Sequence, residues 1–186
     1  MGTGGDDVLV CDGDRKRTPP PARYTVAAMK RLTAVVLAIV LAAPLLAFDT
    51  RVVAGISPTE ISIISAMNRE RAAYGLPPLR INVELTEAAN DRIDDLFAHH
   101  YFAHVSPQGL QPFVWAERRG YDYHAMGENL ATGYSPREVV DGWMHSPAHR
   151  ANILGRDFNE VGVAIAPGSP VHAEGGPTVV ALYGGR

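Results

Sequence analysis

The chain has 186 residues, 46% of them hydrophobic and 20% charged, which is room for one ordinary globular domain with an appendage. A formal net charge of -3 excludes a broadly basic nucleic-acid-binding surface. Both lysines, Lys16 and Lys30, lie near the N-terminus, so the body is more acidic than the total and a polybasic membrane patch is excluded as well. The single cysteine, Cys11, cannot close an internal disulfide, so the fold must rest on an apolar core, alone or aided by a metal.

Residues 1–28 are rich in Gly, Asp, Arg and Pro without a period, a composition that predicts disorder. Met29-Lys30-Arg31 and the apolar run Leu32 to Leu46 then have the layout of a secretory signal peptide over residues 29–47, with an exit after Ala47 or Ala54. The run is shorter than a comfortable membrane span of about 20 residues. Because export signals begin at a true N-terminus, residues 1–28 read as a gene-model extension with translation starting at Met29. Residues 48–57 read as a linker, and residues 58–186 as the domain.

Ser57-Pro58-Thr59-Glu60 combines a capping serine, a proline at the first helical position and an acid in the first turn. The helix it predicts runs to Tyr74, where Gly75 stops it, and Leu76 and Leu79 turn into the core. Asn82 opens a second helix, with Leu85, Ala88, Ala89, Arg92, Ile93 and Leu96 on the buried face and a solvated acidic face opposite. A short helix is predicted over Pro112 to Arg119, a weak strand over Gly120 to Tyr123, and a fourth helix capped by Ser135 and broken by Pro147. Strand-like runs at Val161–Ala166 and Thr178–Tyr183 close the chain, joined by a Gly- and Pro-rich loop. Helices early and strands late predict an α+β domain with helices stacked on a small antiparallel sheet.

Chemistry concentrates between Phe102 and Leu154, in islands that must fold back on one another to meet. His104 stands at a helix exit before Val105-Ser106-Pro107, where a histidine is either a cap or a ligand. His100 lies four residues earlier, a metal-binding spacing only if the helix continues, and Ser106-Pro107 argues for an early end. Glu128 lies between Gly127, which permits close backbone approach, and Asn129. It reads equally as a cleft carboxylate or as an acid at a helix N-terminus. His145 and His149 are four apart, but Ser146-Pro147 interrupts the unbroken helix that a zincin motif needs. His149 reads as the cleft residue and His145 as surface, while Asn152 reads as structural, its amide holding loop backbone. No serine elbow is present, and with Cys11 outside the mature chain no cysteine nucleophile remains.

Five ordered motifs together resemble the CAP superfamily of cysteine-rich secretory proteins, antigen 5 and pathogenesis-related proteins, most closely its short bacterial secreted branch with its SCP-like domain. They are Asn68-Arg69-Glu70-Arg71 with Gly75 to Leu79, Phe102 to Pro107, Gly127 to Ala131, Trp143 with Ser146 to Leu154, and Glu160 to Val163. The resemblance implies an α-β-α sandwich and a cleft of two His and two acids that can hold zinc or another divalent cation. His104, Glu128 and His149 match three of those four. The fourth, a Glu three residues after the matching Trp in many eukaryotic members, is Ser146 here, and the eukaryotic cysteines are absent. Two His and one Glu remain a common zinc set with one position left for water. Ser106, Asn129, Trp143, Ser146 and Asn152 are expected to line or brace the cleft. The resemblance further implies a secreted, non-catalytic module that binds a metal, a small molecule or lipid, or a cell-envelope component, in the periplasm, wall or medium. The competing expectation is a metal-dependent hydrolase or protease acting through His104, Glu128 and His149.

Overall fold

The computed structural model describes residues 55–186. The expected extension and signal peptide, Cys11 and most of the linker lie outside the described residues.

Helix α1 (Pro58–Ala73) begins as its sequence dictates. The Ser57 hydroxyl accepts from the Glu60 N–H at 3.3 Å and the Glu60 carboxylate accepts from the Ser57 N–H at 2.7 Å, a closed capping box. Ile63, Ile64 and Met67 bury one face. The helix ends where Gly75 takes a φ of 67°, a left-handed conformation that glycine adopts without a Cβ penalty. Asn68 then clamps the returning chain, donating to the Leu79 carbonyl at 3.0 Å and accepting from its N–H at 2.8 Å. Leu76 and Leu79 are buried as expected.

A two-residue strand, β1 (Arg80–Ile81), follows, too short to carry a readable period. Helix α2 (Val83–Ala98) is capped by Asn82, whose side chain accepts from the Leu85 N–H at 2.9 Å. Its apolar stripe is buried, and on its acidic face Glu87 and Asp91 pair with Arg119 at 3.1 and 2.6 Å. Helix α3 (Val114–Arg118) is shorter than predicted and inserts Trp115.

The strand predicted over Gly120–Tyr123 does not form, and β2 (Ala125–Thr132) begins two residues later. Tyr121 instead folds its ring against Gly184, where a Cβ would collide with it, and donates its hydroxyl to Glu160 at 2.9 Å. Helix α4 (Val139–His145) also starts later than its sequence suggests. Ser135 donates its hydroxyl to Glu138 at 2.6 Å rather than capping a backbone N–H, so residues 136–138 form a turn. The chain breaks at Ser146 in extended backbone, and Pro147, at the first helical position, immediately starts α5 (Pro147–Ile153). His149 and Asn152 therefore sit on a helix, not in the expected loop.

Strands β3 (Glu160–Ala166) and β4 (Thr178–Gly185) complete a four-stranded sheet in the order β1-β3-β4-β2. β2–β4 and β3–β4 are antiparallel, while β1 joins β3 in parallel, so the sheet is mixed at one margin. Every residue of β4 is buried, because helices cover both faces. On one face Ile63, Met67, Val139, Trp143 and Ile153 pack on Val161, Val163, Ala181 and Tyr183. On the other, Leu85, Ala88, Ile93, Leu96 and Trp115 pack on Leu130, Ala164, Val180 and Leu182. The expected α-β-α sandwich of the α+β class is the architecture found. No helix among the described residues is long and apolar enough to cross a membrane.

Candidate functional site

β2 is an edge strand, and its outer edge would expose carbonyls to water. Two side chains on the α4–α5 segment cover them. Trp143 donates its indole N–H to the Leu130 carbonyl at 3.2 Å, and Asn152 donates to the Glu128 carbonyl at 3.0 Å. That close approach needs Gly127, where a Cβ would stand 2.9 Å from the Asn152 oxygen and 3.0 Å from the Phe158 ring. Asn152 also donates to Asn129 at 2.8 Å, and Asn129 donates to the His149 carbonyl at 3.0 Å and to the Tyr183 hydroxyl at 3.1 Å. This amide ladder seats the α5 turn that carries His149 beside the strand that carries Glu128.

Strand alternation sends Asn129 to the α4–α5 face and Glu128, opposite Leu182, to the α2–α3 face. The Glu128 side chain is 2% exposed, and both its oxygens are engaged. Arg92 donates to one through Nε at 2.8 Å, and His104 Nδ1 stands 2.7 Å from the other. A carboxylate buried this deeply requires such partners. Arg92, itself fully buried on α2, also donates to the carbonyls of Ala103 and His104, and its guanidinium stacks 5.3 Å from the Tyr101 ring centroid and 4.7 Å from that of Trp115. Tyr101 in turn donates to Asp95, and burial pushes its hydroxyl up to about 12.

Of the remaining candidates, Ser106 is buried and braces the turn after His104, its hydroxyl accepting from the N–H groups of Gln108 at 3.2 Å and Leu110 at 3.1 Å. Trp143 lies in the core, and Ser146, half-buried, is the hinge between α4 and α5. His99, His100, His124, His145 and His172 are exposed; His145 turns back to Asp141 on its own helix. Glu128 lies mid-strand, which decides against a helix N-terminal role. Arg92 is the functional residue that sequence reasoning misses. Spacing puts it on the buried stripe of α2, yet an arginine among alanines and leucines needs a carboxylate opposite, and that signal is present in the sequence.

The two cleft imidazoles are driven apart electrostatically. The hydrogen bond to Glu128 raises the His104 pKa, against burial and the charge of Arg92. Burial lowers the His149 pKa, and the His104 charge adds to that. In an NMR titration His104 should therefore titrate above the ordinary value of about 6.5 and His149 below it. His104→Ala should move His149 back up. His104 contributes stability that is present below its unfolded pKa and lost as pH rises through its folded pKa. His149 does the opposite, lowering stability as pH falls through the histidine range. Coincident titration midpoints would contradict this geometry.

The donor set bears on the metal that the resemblance implies. Among the described residues no group of three or more His, Cys, Asp or Glu side chains is arranged to hold an ion. Glu128 has spent both oxygens on Arg92 and His104. What it provides is the hydrogen bond to Nδ1 that commonly orients a metal-binding imidazole, leaving Nε2 as the free nitrogen of a ring whose side chain is 55% exposed. Buried and engaged by both partners, Glu128 does not fit direct ligation, which leaves the two imidazoles as the donors of the set that the resemblance implies. A groove of about 330 Å³ runs along α4 and α5, lined by Met144, His145, Pro147, Arg150, Ala151 and Leu154 and by none of His104, Glu128 and His149.

Comparison with known proteins agrees with this architecture. Over 109 residues the chain is 38% identical to YkwD of Bacillus subtilis, and over 108 residues 30% identical to the membrane protein YlbC of the same organism. Each match takes in 58% of this chain but only 42% and 31%, respectively, of those relatives, so the chain spans less than half of either. Among solved structures, an outer surface protein of Borrelia burgdorferi superposes with a TM-score of 0.62 at 21% identity, covering 69% of this chain and 92% of that one. An extracellular protein containing an SCP domain from Bacillus anthracis superposes with a TM-score of 0.60 at 22% identity, covering 69% and 40%. Both likenesses are of fold. The family profile of the cysteine-rich secretory proteins, CAP, matches residues 64–181, nearly the whole described domain, and the chain belongs to that family.

Proposed function

We propose that this CAP domain is an exported binding module rather than an enzyme, and that its ligand-facing groups are the imidazoles of His104 and His149. The observation that carries this reading is the double engagement of Glu128. A carboxylate that is 2% exposed, with one oxygen paired to the Arg92 cation and the other on His104, is shut away from water and has its basicity lowered by that cation, so it is a poor general base. It is well suited to holding an imidazole still. The two rings then offer nitrogen donors to a zinc-like divalent cation, and the groove lined by Met144, Pro147, Ala151 and Leu154 together with His145 and Arg150 offers room for the chain of a small amphiphile or lipid. Export is supported by the apolar run Leu32 to Leu46 and by the extracellular and outer-surface descriptions of the similar structures.

Calorimetric titration with zinc alone tests the reading. Weak one-to-one binding is expected, lost by at least about tenfold in His104→Ala and in His149→Ala, and weakened as pH falls because only neutral imidazole binds metal. Ser146→Glu should tighten it by adding a carboxylate at the hinge. Zinc affinity unchanged in both alanine variants would remove the metal from this cleft. Zinc-dependent hydrolysis of peptide or ester substrates that both variants abolish would replace the binding module with the hydrolase.

A further inference from the structure

Arg92 joins two things that the chain supplies separately. One is Glu128, on the central part of β2; the other is the turn carrying His104, which leaves the end of α2. A single guanidinium donates to Glu128 through Nε at 2.8 Å and to the carbonyls of Ala103 and His104 through Nη2, the latter at 3.1 Å. It has no freedom to do otherwise. Arg92 is fully buried, held between the rings of Tyr101 and Trp115, and it shares Tyr101 with Asp95. The fork geometry of arginine makes this possible, since it directs donors along two edges of one plane.

We propose that Arg92 is the positioning residue of the cleft, locking His104 as the Nδ1–H tautomer with Nε2 free for the ligand. The inference rests on His104 facing the ligand, as argued above. The physical chain has two parts. Arg92 holds the Glu128 carboxylate in one orientation, and of the two His104 ring nitrogens the one its other oxygen meets, at 2.7 Å, is Nδ1. Arg92 also fixes the His104 backbone, so the ring cannot swing to offer Glu128 its other nitrogen. A neutral imidazole that donates through Nδ1 carries its lone pair on Nε2, which is the state a metal or a hydrogen-bond donor on a ligand requires.

The test is the tautomer itself, read from long-range proton–nitrogen NMR of the histidine rings on the alkaline side of both titrations. Wild type should show His104 as the Nδ1–H form. Arg92→Lys keeps a cation but cannot reach the carboxylate and both carbonyls together, so the bias should weaken. Arg92→Met should abolish it, with zinc affinity falling about 10–100-fold. The Trp143 indole N–H, bonded to the Leu130 carbonyl and packed on the other face of the sheet, serves as the internal control, because general loosening would alter it too, whereas loss of positioning alters His104 selectively. If Arg92→Met does not fold, Arg92→Lys carries the comparison. A wild-type His104 protonated on Nε2, or an unchanged His104 tautomer in the folded variants, overturns the assignment. Absence of zinc binding by wild type counts against the metal reading alone, since the tautomer is measured without metal.

Discussion

Replacing Arg71 with methionine should destabilise the domain by on the order of 4 kcal/mol, one of the two largest effects expected of a single substitution. Arg71 lies near the end of α1, fully buried, and its guanidinium is satisfied by backbone alone. It donates to the carbonyls of Pro77, Ile153 and Gly155 at 2.8 Å each and to that of Phe158 at 3.1 Å. Ile153 is the last residue of α5, so its carbonyl is one that no helical N–H can reach, at the negative end of the helix dipole. One side chain thereby ties the turn after α1, the end of α5 and the connection into β3. Methionine matches the length and fills the space but leaves the buried Ile153 carbonyl and three part-buried carbonyls without their donor. Each such loss costs about 1–3 kcal/mol, offset in part because no charge is then buried. Burial already lowers the Arg71 pKa, which shows that desolvation opposes the carbonyl interactions. Arg71→Lys should fall between, because an ammonium can reach only some of the carbonyls. Urea unfolding measures both, and a midpoint shift equivalent to less than about 1 kcal/mol at constant slope would contradict the role.

Gly162→Ala should be nearly as damaging, about 3 kcal/mol or more, although it adds a single methyl group. Gly162 sits on β3 opposite Leu182, where the backbone of α2 crosses the sheet. A Cβ there would fall inside the carbonyl group of Leu85 and the nitrogen of Thr86. These are main-chain atoms in the first turn of a helix, so no rotamer change relieves the overlap and α2 must lift from the sheet. Since α2 also carries Arg92, the loss of stability should come with a disturbed His104 signal in the NMR titration. Gly127→Ala is the useful contrast. Its Cβ meets chiefly the side chains of Asn152 and Phe158, which can shift, so it should cost less while loosening the edge of β2. Equal thermal stability of Gly162→Ala and wild type would show that α2 is not seated on the strand at that point.

Most of the scaffold is legible locally. The Ser57 cap, the Gly75 stop, the Asn82 cap and the stripe of α2 each depend on residues within one or two turns of one another, and each forms as read. The misreadings also have local causes. Ser135 has two partners within reach and takes the Glu138 carboxylate, which delays α4 to Val139. Pro147 ends one helix and begins another with the same fixed φ, and its sequence alone does not say which use prevails. Tyr121 looks like strand because its neighbours alternate, but its ring finds a place against Gly184 on β4, far along the chain.

By itself, then, the amino-acid sequence determined where most helices start and stop and which faces are apolar, while the grouping of His104, Glu128 and His149 is what the family resemblance implies. The first two are properties of spacing and of side-chain type. Tertiary structure alone decided which partners His104, Glu128 and His149 meet. Strand pairing turned Glu128 to one face of the sheet and Asn129 to the other; α2 then brought Arg92 to Glu128 across 36 residues, and α5 was drawn to the opposite side of the edge strand by Asn129 and Asn152. The physical reason is that a buried carboxylate takes whichever donors the packing delivers. Once Arg92 and His104 Nδ1 occupied both its oxygens, Glu128 became the residue that orients an imidazole, a role that no spacing along the chain could have specified.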